Sequence, residues 1–175
     1  FSGTIIAGNI KPGDSIRALP SGQIASIDKI ILSTESLEYA SCDQAITLTL
    51  DREIDLSRGD LIVKAEMPCE ISDQFEADLV WMDEAPGYIG RRYIFQLANN
   101  KVNASLSDIN FKYDVNTFEH TSGKNLSLNE IASVKISWDN EIPYEVYDDC
   151  PGLGAFILVD SYSNTTVAAG MIRFA

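Results

Sequence analysis

Few side chains in this sequence could carry out chemistry, and the first to consider is its single histidine, His120. A relay that needs a second histidine and a metal site built from several histidines are both excluded. The carboxylates Asp114, Glu119 and Glu130 lie near His120 in the sequence, and two carboxylates can act as general acid and base. Acidic residues are abundant along the whole chain, so we interpret these three as solvated surface residues and not as a catalytic acid and base. We expect His120 to be a loop side chain, satisfied by hydrogen bonds or by contact with another domain.

A loop that could hold the phosphates of a nucleotide is missing from the sequence. Such a loop has the pattern Gly-x-x-x-x-Gly-Lys-Ser/Thr, whose backbone amides and lysine contact the phosphates, and no segment matches it. Residues 100–103, Asn-Lys-Val-Asn, are similar to the guanine-binding Asn-Lys-x-Asp element, but they lack the final aspartate and fall in a predicted hairpin turn. We therefore predict that this chain contains no catalytic, cofactor-binding or metal-binding residues.

The cysteines Cys42, Cys69 and Cys150 are odd in number and form no Cys-x-x-Cys pair. With no histidine cluster nearby, neither a zinc site nor a complete set of disulfides is expected. We predict reduced thiols that are mostly buried, which is typical of a cytoplasmic protein.

The charge of the chain is strongly negative, because 26 Asp and Glu residues stand against 13 Lys and Arg residues, for a formal net charge of -13. Such a charge repels the phosphates of nucleic acids and anionic membrane surfaces. The apolar runs are also too short to span a membrane. We therefore expect no nucleic-acid partner and no membrane partner. The largest basic cluster is Arg91-Arg92, for which two interpretations stay open: a salt-bridge anchor to a partner domain, or a pair of solvated surface residues.

Two segments of alternating apolar and polar residues, one on each side of a polar connector, must position these side chains. Alternation with a period of two is typical of β-strands that have one face against a core. The connector lies between Met67 and Ser72, and Pro68, which has no backbone donor, predicts the end of the preceding strand. The sequence therefore predicts an all-β fold of two consecutive small antiparallel β-barrels, residues 1–67 and 72–175.

The first barrel is predicted from short strands separated by tight turns. Its strands fall at residues 3–7, 15–19, 24–32 and 45–50, and a closing strand follows the turn at residues 57–60. Residues 36–43 are expected to form a loop with Leu37 and Tyr39 as its anchors.

The second barrel repeats this organisation. Its strands fall at residues 75–82, 92–97, 102–109, 132–138, 156–160 and 167–172, with a hairpin turn at residues 99–100. Trp81 and Trp138 alternate with apolar positions and are expected to fill the barrel. Residues 128–131 are the one stretch compatible with a helical turn.

Several segments carry a resemblance to a known family. DREIDLSRGD (51–60), FEADLVWM (75–82) and DVNTFEH (114–120) resemble the two C-terminal β-barrels of translational GTPases, and more narrowly those of the large, GTP-binding subunit of bacterial sulfate adenylyltransferase. The resemblance runs in the same order over essentially the whole chain. The ending AGMIRFA resembles the form of that subunit which continues into an adenylylsulfate kinase domain. Residues 148–154 depart from the family's pattern, which usually has an Asn-Arg segment here.

The resemblance implies an elongation factor Tu-like layout in which these barrels are the second and third domains of a longer protein. They would be a non-catalytic portion of an enzyme of sulfate assimilation that makes adenylylsulfate and pyrophosphate from ATP and sulfate, driven by GTP hydrolysis. GTP and Mg²⁺ would bind in the missing N-terminal GTPase domain, and ATP would bind in a small catalytic partner subunit. Two alternatives remain: a translation-type factor fragment, which would need basic grooves for RNA, and an unrelated binding module, which would need an apolar pocket with convergent polar groups.

The working surface is predicted in the loops of the second barrel, because loops carry partner contacts more often than strands do. We expect this surface to dock against the GTPase domain. The candidate interface residues are Arg91, Arg92, Asn116, Glu119, His120, Asn129 and Glu130.

Overall fold

The computed structural model describes residues 1–67, 69–114, 116–117 and 119–174. Pro68, at which the sequence predicts a strand end, lies outside the described residues, as do Val115 and Phe118 of the DVNTFEH segment and the terminal Ala175. The described part is nearly all β-structure, so the predicted all-β fold is confirmed. The chain divides into two compact units, Phe1–Cys69 and Glu70–Ala175.

The first unit is built on one antiparallel sheet and a two-stranded ribbon. Its strands are β1 (Ser2–Thr4), β2 (Asn9–Ile10), β3 (Ser15–Leu19), β4 (Ile24–Leu32), β5 (Glu35–Leu37), β6 (Ala40–Ser41), β7 (Ala45–Leu50) and β8 (Leu61–Lys64). The sheet has the order β1-β7-β4-β3-β8, with β5 beside β4, and β2 pairs with β6. Strand β4 pairs with β3 in its first part and with β7 after a bulge near Ile27, so it turns a corner of the unit.

The core of the first unit follows from the alternation in β3, β4 and β7. Ile16, Ile27, Ile30 and Leu48 are buried in one cluster, while their neighbours along each strand are more exposed. The first strand is shorter than the predicted 3–7, because its pairing with β7 ends at Thr4. Beyond that point the backbone of Ile5 bonds to Asp43 and Gln44, in the turn before β7.

The predicted loop at residues 36–43 contains two short strands, β5 and β6. Leu37 packs against the core, as expected, because its pairing with Ile30 brings it over the cluster. Tyr39 is not an anchor: it lies between the two strands and is 69% exposed.

The second unit is a closed antiparallel barrel. Its elements are β9 (Glu70–Trp81), β10 (Gly87–Tyr88), β11 (Arg92–Leu97), β12 (Asn100–Tyr113), β13 (His120–Thr121), β14 (Asn125–Leu126), β15 (Ile131–Tyr144), α1 (Pro151–Gly154), β16 (Ala155–Val159) and β17 (Thr166–Phe174). Six strands follow one another in the order β11-β16-β17-β9-β15-β12, and β12 pairs back onto β11. Strand β13 extends the sheet beside β12, and β10 and β14 form a separate ribbon.

Aromatic rings fill the interior of this barrel. Phe95 stacks on Trp138 with ring centroids 5.3 Å apart, and Phe75 approaches Trp138 at 4.7 Å. Trp81 meets Tyr93 edge-on at 5.6 Å. Both tryptophans are buried, which confirms that they fill the barrel.

Three local predictions for the second barrel were wrong in detail. The tight turn between β11 and β12 lies at Ala98 and Asn99, one residue earlier than predicted, because Leu97 pairs with Asn100 and Ala98 adopts the positive φ of 49°. Residues 128–131 form a turn followed by the first residue of β15, and the short helix lies instead at Pro151–Gly154. Strand β9 begins earlier than predicted, at Glu70, and β12 and β15 run beyond both of their predicted ends. Bulges in the pairing of β12 with β15 and of β15 with β9 let these long strands bend around the barrel.

The cysteines differ in exposure. Cys150 is buried and Cys69 is half-buried, whereas Cys42 is exposed and its thiol donates a hydrogen bond to the carbonyl of Ile6 at 3.0 Å. The prediction of mostly buried thiols is therefore wrong for Cys42. In the part of the chain that the structure describes, no helix has the length and apolar character needed to cross a membrane.

Candidate functional site

Three connections of the second barrel lie at the same end. Because neighbouring strands run antiparallel, the segments 82–91, 114–130 and 160–165 all join strand ends on one side of the barrel, which we call the loop end. Arg92 is the first residue of β11, and the other candidate interface residues lie within these segments. Six of the seven candidates therefore belong to connections at the loop end, whereas Arg92 pairs with Ser105 within β12 and lies on the side of the barrel.

Arg91 is engaged within the barrel. Its guanidinium donates a hydrogen bond to the carboxylate of Asp160, and its central carbon lies 5.5 Å from the centre of the Tyr93 ring. Asp160 also accepts hydrogen bonds from the backbone amides of Tyr162 and Ser163 at 2.8 and 3.0 Å. These amides, together with Arg91, hold the pKa of Asp160 below its ordinary value. Arg91 therefore ties the turn between β16 and β17 to the start of β11.

Arg92 is far less constrained than its neighbour. Its side chain is 74% exposed, and its guanidinium lies 4.0 Å from the carboxylate of Asp139, which is itself exposed. Ion pairs between exposed groups at this distance contribute little to stability. The Arg92 guanidinium is therefore available to a partner.

Asn129 and Glu130 form the turn that precedes β15. The amide of Asn129 donates a hydrogen bond of 2.8 Å to the carbonyl of Trp81, and the amide of Trp81 donates one of 2.9 Å to the carbonyl of Glu130. The Glu130 carboxylate accepts hydrogen bonds from Lys112 at 2.6 Å and from the amide of Ser127 at 2.7 Å. Burial opposes ionisation of Glu130, but these two donors outweigh it and lower its pKa. Both residues support the barrel end.

Asn116 and Glu119 are exposed on the loop that follows β12. The Asp114 carboxylate accepts hydrogen bonds from the amides of Asn116 at 2.8 Å and Thr117 at 3.2 Å, and these amides lower the pKa of Asp114. The amide of Asp114 donates a hydrogen bond of 3.0 Å to the carbonyl of Glu119. These hydrogen bonds hold the backbone of Asp114, Asn116, Thr117 and Glu119, while the side chains of Asn116 and Glu119 face solvent.

His120 lies in the short strand β13, whereas the sequence predicts a loop at this position. Its ring stacks on Phe111, with centroids 3.8 Å apart and an interplanar angle of 11°. It also meets the edge of Tyr113 at 5.4 Å, because Tyr113 and His120 are paired across the two strands. Ring contacts, in place of the expected loop hydrogen bonds, position the imidazole, and His120 remains exposed.

A polar cluster that the sequence analysis missed lies on the outer side of β9, β12 and β17. Asp78 accepts a hydrogen bond from the Tyr113 hydroxyl at 3.1 Å and another from Nε of Arg173 at 3.0 Å. Nη1 of Arg173 lies 3.2 Å from each carboxylate oxygen of Asp148, in the segment that departs from the family's pattern. The hydrogen bond to Asp78 raises the pKa of Arg173, and burial followed by the Asp78 charge raises that of Tyr113. The sequence did not set Asp78 apart, because the outward residues of β9 before it, Gln74 and Glu76, are also polar.

The arrangement of these residues fits a surface that binds a partner protein better than it fits a catalytic site. Among the described residues, no group of three or more His, Cys, Asp or Glu side chains is placed to hold a metal ion. The acidic candidates Asp114 and Glu130 are occupied by backbone amides and by Lys112. Asn116, Glu119 and His120 are exposed residues of the loop end, and Arg92 is exposed on β11. Arg91, Asn129 and Glu130 make the contacts that support the loop end, although Arg91 and Asn129 are exposed as well.

A known protein family matches the second unit of this chain. A family described as "GTP-eEF1A C-terminal domain-like" matches residues 74–173, which is nearly all of the second unit.

Curated relatives match almost the whole chain. Sulfate adenylyltransferase subunit 1 of Saccharophagus degradans is 43% identical over 172 residues, covering 98% of this chain and 36% of the relative. The proteins of the same name from Chromobacterium violaceum and Aliarcobacter butzleri are 44% and 42% identical, covering 98% and 99% of this chain and 36% and 37% of those relatives. The chain thus spans little more than a third of the length of these relatives.

Solved structures show the same fold at lower sequence identity. The crystal structure of sup35 complexed with GDP has a TM-score of 0.88 at 19% identity and covers 99% of this chain and 43% of that one. The structure of sup35 complexed with GMPPNP has a TM-score of 0.85 at 18% identity, with the same coverage of 99% and 43%. These likenesses concern the fold alone.

Proposed function

Because the chain belongs to the family described as GTP-eEF1A C-terminal domain-like, we propose that it forms the non-catalytic barrel portion of the GTPase subunit of a sulfate adenylyltransferase. The observation that carries this proposal is the identity of 42 to 44% to proteins named sulfate adenylyltransferase subunit 1 over nearly the whole chain. The complete enzyme converts ATP and sulfate into adenylylsulfate and pyrophosphate, driven by GTP hydrolysis, in the cytoplasm.

We assign the binding of nucleotides and Mg²⁺ to other parts of the enzyme. GTP and Mg²⁺ bind in an N-terminal GTPase domain of the same protein, and ATP binds in a small catalytic partner subunit. The absence of a phosphate-binding loop from the sequence supports this assignment. The net charge of -13 supports a protein partner over RNA, because barrels that hold RNA need basic surfaces.

The loop end of the second barrel is the surface that docks against the GTPase domain. Its exposed residues Asn116, Glu119 and His120 offer an amide, a carboxylate and an imidazole, and the exposed Arg92, which follows the segment 82–91, adds a cation. Interfaces between domains of one chain are typically polar and cover about 600 to 1,500 Å². Loss of one such contact should weaken docking by about 1 to 3 kcal/mol and leave the barrel folded.

The test uses the full-length subunit together with its catalytic partner. His120→Ala and Arg92→Ala should each reduce the stimulation of adenylylsulfate synthesis by GTP, while the midpoint of thermal unfolding stays near that of the wild type. Lys135→Ala is the matched control, because Lys135 is an exposed cation that pairs with an exposed carboxylate, as Arg92 does, but lies outside the candidate interface. If His120→Ala and Arg92→Ala both keep full coupling between GTP hydrolysis and synthesis, the docking surface must be sought on the first barrel at residues 37–43.

A further inference from the structure

One side of the outer face of the second barrel is apolar. The strand register places Ile157, Ala169, Val80 and Ile131 side by side on the adjacent strands β16, β17, β9 and β15. Each of these residues alternates with buried core residues, so all four belong to the outer face. The outward positions of a barrel strand are ordinarily polar in water, so a row of four apolar residues calls for an explanation.

The other side of the same barrel follows the ordinary rule. The register there places Arg92, Ser105, Ser137 and Gln74 side by side across β11, β12, β15 and β9. Hydroxyl groups bond to one another along this side, as between Ser107 and Ser137 at 2.7 Å. The apolar row is therefore a property of one side of the barrel and not of its exterior in general.

The apolar row lies in an open groove of about 650 Å³. Small residues, Ala155, Ala169 and Gly170, line it together with the larger side chains of Tyr147 and Met171. A groove of this size could enclose several apolar side chains of a partner. The convergent polar groups that would orient a metabolite are few, since Asp78 and Gln96 are the polar side chains other than Tyr147 among its described lining residues.

The charges at this groove are negative. Its described lining residues include Asp78 but no lysine, arginine or histidine. Asp148 follows the lining residue Tyr147 and is 77% exposed. Arg173 is shared between Asp78 and Asp148, so one cation faces two carboxylates. Nucleotides, sulfate and RNA are therefore disfavoured here, and an apolar segment that carries basic residues is complementary in both shape and charge.

The curated relatives are each named subunit 1, so their enzyme has at least one other subunit. We infer that the groove on β9, β15, β16 and β17 docks an apolar, basic-flanked segment of that other subunit, an inference that rests on the proposed function. The loop end and the groove then serve different partners. The loop end holds the GTPase domain of the same protein, and the groove holds the catalytic subunit.

The first test reverses one charge beside the groove. In the full-length subunit, Asp148→Lys should weaken the affinity for the separately purified catalytic subunit about ten-fold at low salt, and the loss should shrink as salt screens the charges. Asp108→Lys is the matched control, because Asp108 is also exposed and lies beside a cation, Lys135, but on the polar side of the barrel. Its affinity should stay within about two-fold of the wild type. Equal affinities for the two variants would overturn the inference.

The second test changes the apolar row itself. Ile157→Lys should weaken the complex at least as much as Asp148→Lys, whereas Ser105→Lys, on the opposite side, should not. Thermal unfolding of each variant shows whether the barrel remains folded. If Ile157→Lys does not fold, the affinity of Asp148→Lys for the catalytic subunit decides the test. If sedimentation shows that Ile157→Lys converts a homodimer into a monomer, the groove binds a second copy of this chain. Loss of GTP hydrolysis in the subunit alone would assign it to the GTPase domain, and either result overturns the inference.

The two proposals fail in different ways. If the wild-type assembly makes no adenylylsulfate, the proposed function is wrong, whatever the affinities are. If the assembly is active and both groove variants bind the catalytic subunit like the wild type, the proposed function stands and the docking inference is wrong.

Discussion

Lys112 on β12 donates a hydrogen bond of 2.6 Å to Glu130 in the turn that precedes β15. The same carboxylate oxygen accepts the amide of Ser127 at 2.7 Å. Lys112 is largely buried, with 14% of its side chain exposed, so this ion pair differs from the exposed pairs elsewhere on the barrel. It links the end of one barrel strand to the start of the next, which makes the loop end a defined surface.

Removal of either partner should destabilise the second barrel. We expect Glu130→Gln and Lys112→Met each to lower the free energy of unfolding by about 1 to 3 kcal/mol, because each leaves a partly buried polar group without its charged partner. Denaturation in urea, followed by tryptophan fluorescence, measures the change. Glu119→Gln is the control, since Glu119 is exposed, and its effect should stay within about 0.5 kcal/mol.

Acidification should weaken the ion pair between Lys112 and Glu130. The pKa of Glu130 lies below its ordinary value of 4.5 in the folded protein, so the ionised form favours folding. This contribution is complete above the ordinary pKa and is lost as the pH falls through the lowered pKa. The free energy of unfolding should therefore fall with pH below about 4.5 in the wild type, and less steeply in Glu130→Gln. An identical pH dependence in the two proteins would contradict the prediction.

Arg91 and Arg92 should separate into two roles. Arg91→Ala removes the guanidinium from Asp160 and should lower the midpoint of thermal unfolding by a few degrees. Arg92→Ala removes an exposed side chain and should leave the midpoint nearly unchanged. Differential scanning calorimetry compares them directly. A larger loss of stability in Arg92→Ala would show that the assignment is reversed.

Gly170 should tolerate no side chain. A Cβ atom at this position would lie 2.9 Å from Cε1 of Phe156 and 2.9 Å from the carbonyl oxygen of Asp78, and the backbone oxygen has little room to shift. We expect Gly170→Ala to cost about 1 to 3 kcal/mol of stability through overpacking. Gly3→Ala is the control, because a Cβ there would meet no atom within 4 Å. Equal stabilities of the two variants in urea would refute the close approach.

The chain as given should be inactive by itself. Without a phosphate-binding loop, we expect it neither to hydrolyse GTP nor to form adenylylsulfate from ATP and sulfate, and calorimetry should detect no binding of GTP. The full-length subunit is the positive control. Turnover proportional to the concentration of the chain, in material free of other domains, would contradict this prediction.

Local patterns in the sequence were sufficient to determine the strand type and many strand bounds. The strands at 15–19, 24–32, 45–50 and 92–97 were predicted with the bounds that the structure has, because alternation along one strand reports directly which face is buried. The positions of Trp81 and Trp138 in the core follow from the same local rule. Turns were less certain, since the hairpin at Ala98 depends on which residues pair across it.

Only the tertiary structure decided how these strands meet. Arg91 and Arg92 are neighbours in the sequence, but the first reaches Asp160 and the second faces solvent, because closure of the barrel brings the turn between β16 and β17 beside β11. The apolar row likewise combines Val80, Ile131, Ile157 and Ala169 from four strands whose register is fixed by hydrogen bonds between distant segments. No single strand reveals that row, since each contributes only one of its outward residues, and their alignment arises from pairing across the closed sheet.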